Sequence, residues 1–97
     1  MNKNRSYGQP IPDDKLSAFM NVLFNVWFRK HRRLSTDLDF DIAWDELDII
    51  MAQGDQYPVV RHLGIVLLYE LDARMHGGYT ETTKEKLLEL IRSERGQ

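Results

Sequence analysis

The carboxylates between residues 37 and 48 have the spacing that comes nearest to a known chemistry. They occupy the first, third, fifth, ninth and twelfth positions of a possible EF-hand calcium loop: Asp37, Asp39, Asp41, Asp45 and Asp48. The sixth position departs from that pattern, because Ile42 stands where the sharp turn requires glycine, and the twelfth is the shorter aspartate. We therefore predict an acidic helix N-terminus, which the helix dipole favours, and keep calcium binding as the alternative.

The same segment predicts an acidic face that would complement a basic protein surface. The residues of this face are Asp37, Asp39, Asp41, Asp45, Glu46 and Asp48. A solvated helix surface would have the same composition, so both interpretations stay open. The formal net charge of the chain is only −2, which argues against a whole-molecule mimic of nucleic acid.

A basic turn lies just before the acidic segment. Its four cations could contact phosphates: Arg29, Lys30, Arg32 and Arg33. His31 belongs to the same turn. The alternative is that these cations compensate the dipole at the end of a helix and pair with the acids that follow. A helix-turn-helix around Gly54 is disfavoured, because the helix after it is too apolar to lie in a DNA groove.

Motifs for catalysis and for cofactors are absent from the sequence. The chain contains no cysteine, no glycine-rich phosphate loop, no nucleophile elbow and no paired-carboxylate motif. His76 lies one turn after Asp72, but two ligands do not make a metal site, so we interpret His76 as a dipole partner at a helix end. We expect a protein that is not an enzyme and that uses no cofactor or metal.

The composition is that of one soluble globular domain. The chain has 97 residues, of which 42% are hydrophobic and 29% charged. Its longest apolar stretch, residues 63–69, is too short to cross a bilayer. Residues 1–12 are polar and contain no hydrophobic signal segment. These features predict a cytoplasmic protein without a membrane partner.

The elements that must position these side chains are helices. We predict a flexible N-terminal tail over residues 1–12 and a single helical domain over residues 13–97, built as an all-α bundle of four helices. The first helix should cover residues 13–33. The second should follow a cap at Ser35, Thr36 or Asp37 and end at Gly54 as a left-handed cap. The third should cover residues 58–75 and stop at Gly77-Gly78, and the fourth should be capped by Thr80 or Thr82.

The third helix should be central, because its middle is apolar around the whole circumference. We expect Gly64 to admit the first helix at close range. The first helix has two apolar stripes. The main one contains Leu16, Phe19, Met20, Leu23, Phe24 and Trp27, and the second contains Ala18, Val22 and Val26, while Phe28 points elsewhere. Two interpretations of the second stripe stay open: the core absorbs it, or it forms the surface for a homodimer or for a partner protein.

The sequence therefore predicts a small non-catalytic protein–protein interaction module, an adaptor or an inhibitor that regulates a larger protein. It would act through a protein partner or as a homodimer. The alternative is a nucleic-acid-binding accessory protein that uses the basic turn at residues 29–33. The small size, the lack of cysteine and the lack of catalytic motifs are typical of accessory proteins from bacteria or their phages, although no residue motif connects the chain to a family.

Overall fold

The fold is an all-α bundle of four helices. The computed structural model describes residues 8–81, 84–86, 88–89 and 92, and every regular element among them is helical. Helix α1 is continuous and consists of Asp13–Met20, a π-helical segment Asn21–Phe28, and Arg29–His31. Helix α2 is Asp37–Gln53 and helix α3 is Pro58–His76. The fourth helix contains the helical residues 81, 84–86, 88–89 and 92. Among these described helices, none has the length and apolarity needed to cross a membrane.

The ends of α2 and α3 follow from local chemistry. Thr36 is the N-cap of α2, and its hydroxyl accepts a hydrogen bond of 3.1 Å from the Asp39 backbone N–H. Pro58 opens α3, where its missing N–H costs nothing. Gly77 ends α3 in the left-handed region at φ 84°, and the Gly78 N–H donates to the Ala73 carbonyl at 2.8 Å. These ends confirm the predicted third helix to within one residue.

The fourth helix begins beside Thr80. The Lys84 N–H donates to the Thr80 carbonyl at 3.0 Å, as the first intrahelical bond from a cap residue would. Thr82, the other predicted cap, lies outside the described residues.

The prediction of a left-handed cap at Gly54 is wrong. Its φ is −110° and its ψ is 30°, which other residues also adopt. The space there is tight: a Cβ would lie 3.0 Å from the Phe19 ring and 3.0 Å from the methyl groups of Val60, so a larger residue would have to displace these side chains. The turn between α2 and α3 is therefore packed between the N-terminal half of α1 and the start of α3.

The π-helical segment changes which side of α1 is buried. Hydrogen bonds in a π-helix join residues five apart, and the Arg29 N–H donates to the Phe24 carbonyl in this way. Residues five apart then share a face, so Leu23 and Phe28 are both buried. The expectation that Phe28 points away from the main stripe is wrong for this reason, and so is the expectation that Phe24 is buried. Met20, also predicted in the main stripe, is exposed as well.

The core lies where α1, α2 and α3 meet. It consists of seven buried residues: Leu23, Trp27, Phe28, Ala43, Leu47, Leu68 and Leu71. Trp27 is the largest fully buried side chain, and its Nε1–H donates to the Ala43 carbonyl at 2.8 Å. Helix α3 contributes more buried residues than either of the other two helices, as expected for the central helix. Its covering is incomplete, however, because Val66 is exposed.

Gly64 admits α2 and not α1, which corrects the predicted neighbour. A Cβ at Gly64 would lie 2.9 Å from Cδ1 of Leu47 and 3.4 Å from the Met51 sulfur. The reason is the short connection between Gln53 and Pro58, since helices joined by a short turn pack beside each other.

Part of the predicted N-terminal tail lies against the domain. The Gln9 N–H donates to the Gln56 carbonyl at 2.9 Å, and Gly8 lies so close to Pro58 that a Cβ would be 2.5 Å from its ring. Residues 1–7 lie outside the described residues.

Candidate interaction surfaces

The predicted basic turn and the predicted acidic face meet at Glu46. One carboxylate oxygen of Glu46 lies 2.8 Å from the Lys30 ammonium, and the other lies 2.7 Å from Nε2 of His31. Hydrogen bonds from Lys30 and His31 hold the pKa of Glu46 below its usual value. His31 is buried, so this contact fastens α1 to the middle of α2. Glu46 therefore belongs to the interface between two helices, apart from the other acids of the predicted face.

Asp39 also has a structural role. Its carboxylate lies 3.2 Å from the Ser35 hydroxyl and 3.3 Å from the Ser35 backbone N–H, at the N-terminus of α2. Hydrogen bonds from Thr36 and Ser35 lower the pKa of Asp39. Together with the hydrogen bond from the Asp39 N–H to the Thr36 hydroxyl, these contacts hold the residue before the cap against the first turn and stabilise the start of the helix.

The four other predicted acids remain exposed to solvent: Asp37, Asp41, Asp45 and Asp48. In the part of the chain that the structure describes, none of them makes a side-chain hydrogen bond or an ion pair. At 100° per residue their side chains fall within about a quarter of the helix circumference. The predicted acidic face is thus reduced to these four aspartates, which we call the aspartate stripe.

An apolar patch borders the aspartate stripe on the solvent side of α2. It consists of Leu38, Ile42 and Ile49, whose exposed fractions are 67%, 45% and 63%. The core side of α2, marked by Ala43 and Leu47, faces the opposite direction. The sequence analysis missed this patch, although the spacing of residues 38, 42 and 49 on one face of a helix was the available signal.

The calcium alternative requires a loop, and the segment is helical from Asp37 onward. Asp39 and the aspartate stripe therefore lie on different sides of α2 and do not converge on one point. Among the described residues, no three histidine, cysteine or carboxylate side chains come close enough together to hold a metal ion.

The second stripe of α1 is not absorbed by the core. Ala18, Val22 and Val26 are all exposed, and Val26 is exposed to 55%. The interpretation in which the core absorbs this stripe is therefore wrong, and self-association stays a prediction.

All four cations of the basic turn are exposed to solvent, but three of them make no ion pair among the described residues. Arg29, Arg32 and Arg33 are exposed and, within the described residues, their side chains make no hydrogen bond or ion pair. Lys30 is held by Glu46. A small groove of about 210 Å³ beside the turn includes Lys30 and Arg33 but also Asp39. A phosphate in that groove would meet a carboxylate, so the groove does not form a dedicated anion site.

A polar network at the end of α3 fixes the chain that follows it. The Tyr79 hydroxyl donates to Glu70 at 2.6 Å, and Glu70 pairs with Arg74 at 2.8 Å, as residues four apart on a helix can. Arg74 in turn lies over the Phe28 ring, 4.9 Å from its centre. The hydrogen bond to Glu70 raises the pKa of Tyr79 to about 12. The sequence analysis missed Tyr79, because a contact nine residues away leaves no periodic signal.

His76 pairs with Asp72 at 3.3 Å, on the last turn of α3. Its Nδ1 also lies 3.1 Å from the Asp72 carbonyl, as expected for a histidine at a helix C-terminus.

Comparison with protein-family models, with curated proteins and with solved structures gave no match.

Proposed function

We propose that this chain is a small, non-catalytic, cytoplasmic protein–protein interaction module that docks on a partner protein through helix α2. The apolar patch of Leu38, Ile42 and Ile49 is the observation that carries the proposal. Large aliphatic side chains that share one exposed face are typical of surfaces that bind another protein. Their burial would contribute about 1.5 to 3 kcal/mol for each side chain that becomes fully covered.

The aspartate stripe defines the chemistry of the partner. Four carboxylates that make no ion pair among the described residues border the apolar patch, so the complementary surface is apolar with lysine or arginine at its rim. Charges at the rim of an interface mainly increase the rate of association and select the partner. An adaptor or an inhibitor that binds a basic protein fits this surface.

The test compares variants of the tagged protein as bait in its native cells. Ile49→Asp should weaken capture of a stoichiometric partner by about ten- to a hundredfold, since it places a charge in the apolar patch. The triple variant Asp41→Lys, Asp45→Lys, Asp48→Lys should do the same, and the remaining capture should depend less on salt. Glu46 is left unchanged, because its substitution would break the contact with Lys30 and His31.

The matched control reverses the charge of three exposed acidic residues outside α2: Asp55→Lys, Glu81→Lys and Glu85→Lys. This control has the same net charge as the α2 triple variant and should capture the partner as well as the unmodified protein does. If the control and the α2 variants lose the partner equally, total charge and not the α2 surface decides binding, and the proposal is wrong.

Nucleic acid remains the alternative, supported by the exposed cations Arg29, Arg32 and Arg33. It predicts that the bait retains nucleic acid at low salt, with affinity that falls steeply as salt increases. Replacing these three arginines by glutamine would then abolish retention while the α2 variants retain it. That outcome would replace the α2 proposal.

A further inference from the structure

The exposed stripe on α1 is straight and uncharged along its middle. Its residues Ala18, Val22 and Val26 are spaced by four, and the segment from Asn21 to Phe28 contains no charged residue. In an α-helix, residues four apart advance slightly more than a full turn, whereas in a π-helix they fall slightly short of one. Since the stripe crosses from α-helical into π-helical geometry, the two deviations oppose each other and the stripe runs nearly parallel to the helix axis.

The stripe has opposite charges at its two ends. Asp14 lies four residues before Ala18, and Lys30 lies four residues after Val26; both are exposed. Val22 is the midpoint of the five positions, spaced by four residues, that run from Asp14 to Lys30. The Lys30 ammonium has three donors, and Glu46 occupies only one of them in the monomer. Asp14 has no side-chain hydrogen bond or ion pair within the described part of the chain.

We infer that two copies of this chain pair through α1, antiparallel about a two-fold axis at Val22. In this arrangement Asp14 of each copy meets Lys30 of the other, Ala18 meets Val26, and the two Val22 side chains meet at the axis. Parallel pairing would place Asp14 against Asp14 and Lys30 against Lys30, which repel. A two-fold interface requires such a self-complementary surface.

This dimer goes beyond the proposed function and uses a different helix. The apolar patch that would bind a partner protein lies on α2, and the second stripe, which would form the dimer, lies on α1. Each proposal can fail while the other holds.

Single cysteines test the geometry, because the natural chain contains none. The Val22→Cys variant should form a cross-linked dimer under mild oxidation, since the axis brings its two copies within the roughly 4 Å between Cβ atoms that a disulfide needs. Ile49→Cys, at a position on α2 that is more exposed than Val22, is the control. We expect cross-linking of Val22→Cys to be at least about tenfold faster than that of Ile49→Cys.

Mixing two single-cysteine variants distinguishes antiparallel from parallel pairing of the two α1 helices. Residues 18 and 26 are about 12 Å apart along one helix, which is too far for a disulfide. Antiparallel pairing predicts that Ala18→Cys cross-links with Val26→Cys and that neither variant cross-links with itself. Self-linkage of Ala18→Cys would overturn the antiparallel arrangement.

Sedimentation of the unmodified protein provides the independent measurement. The double variant Val22→Glu, Val26→Glu should weaken dimerisation by about a hundredfold or more, and its helical circular dichroism should be unchanged because both positions are exposed in the monomer. A protein that is monomeric at about 1 mM, or equal cross-linking rates at positions 22 and 49, would refute the inference.

Discussion

Replacing Trp27 by phenylalanine tests the packing of α1 against α2. Trp27 is 2% exposed and its Nε1–H donates to the Ala43 carbonyl at 2.8 Å. Loss of that hydrogen bond should cost about 1 kcal/mol. The cavity left by the smaller ring should cost about 1 to 2 kcal/mol more. The free energy of unfolding should therefore fall by roughly 2 to 3 kcal/mol, a large part of the total for a domain of this size.

The matched control is Trp44→Phe on the other side of α2. Trp44 is 47% exposed and lies edge-on to the Phe40 ring, a geometry that phenylalanine can keep, so its substitution should cost less than about 1 kcal/mol. Urea unfolding followed by helical circular dichroism measures both variants without depending on tryptophan fluorescence. In thermal unfolding, Trp27→Phe should lower Tm by roughly 10 to 20 °C. Equal losses in the two variants would refute the assignment of Trp27 as the centre of the core.

Two further predictions concern the contacts of α2. Gly64→Ala should destabilise the protein by about 1 kcal/mol despite the gain in helix propensity, because its Cβ would lie 2.9 Å from the fully buried Leu47 side chain; a rise in the urea midpoint would contradict this packing. Because the folded-state pKa of Glu46 is lowered, its ionised form stabilises the fold above the usual glutamate pKa of 4.5, and this contribution is lost as the pH falls through the folded pKa. Glu46→Gln should therefore be less stable than the natural protein at pH 7 by roughly 1 kcal/mol, and the difference should shrink in acid. The exposed control Glu81→Gln should not differ from the natural protein at either pH, and a Glu46→Gln deficit that is constant with pH would exclude the ion pair as its cause.

The predictable parts of this fold are those fixed by neighbouring residues. Pro58 and Gly77 delimit α3, and Thr36 caps α2, because each acts on backbone groups within a few positions. The partner of Gly64 was not predictable in this way, since the space beside a helical glycine depends on which helix packs there. Gly54 illustrates the same limit. A glycine at this position indicated the end of α2, but the space beside Phe19, and not a left-handed backbone conformation, explains why glycine fits there.

The π-helical segment could not be inferred from the apolar pattern. The residues Asn21–Phe28 fit a period of 3.6 as well as a longer one. The structure distinguishes the two by the hydrogen bond from the Arg29 N–H to the Phe24 carbonyl and by the burial of Phe28 together with Leu23. The sequence pattern identified Ala18, Val22 and Val26 as an apolar stripe. Whether the core covers that stripe depended on the π-helical geometry of α1.

The candidate surfaces were predicted in part. The spacing of the acids identified α2 as an acidic helix, but Glu46 pairs with Lys30 and His31 across 15 to 16 residues, a separation at which sequence has no periodic signal. The apolar patch of Leu38 and Ile49 was hidden because the same helix also supplies core residues.

The π-helical segment also determines how the number of residues in α1 relates to their rotation about the helix axis. A π turn contains more residues than an α turn, so the residues after Phe28 have a different angular position from the one that a uniform α-helix of the same length would give them. Removal of a single residue between Asn21 and Phe28 could restore α-helical pairing while leaving the two ends of α1 in nearly the same orientation. An insertion there would instead turn the cations of the basic turn to a new side of the bundle. The segment thus acts as a length adjustment: α1 tolerates the loss of one residue there without a change in the direction of its terminal charges, whereas the gain of one residue changes that direction.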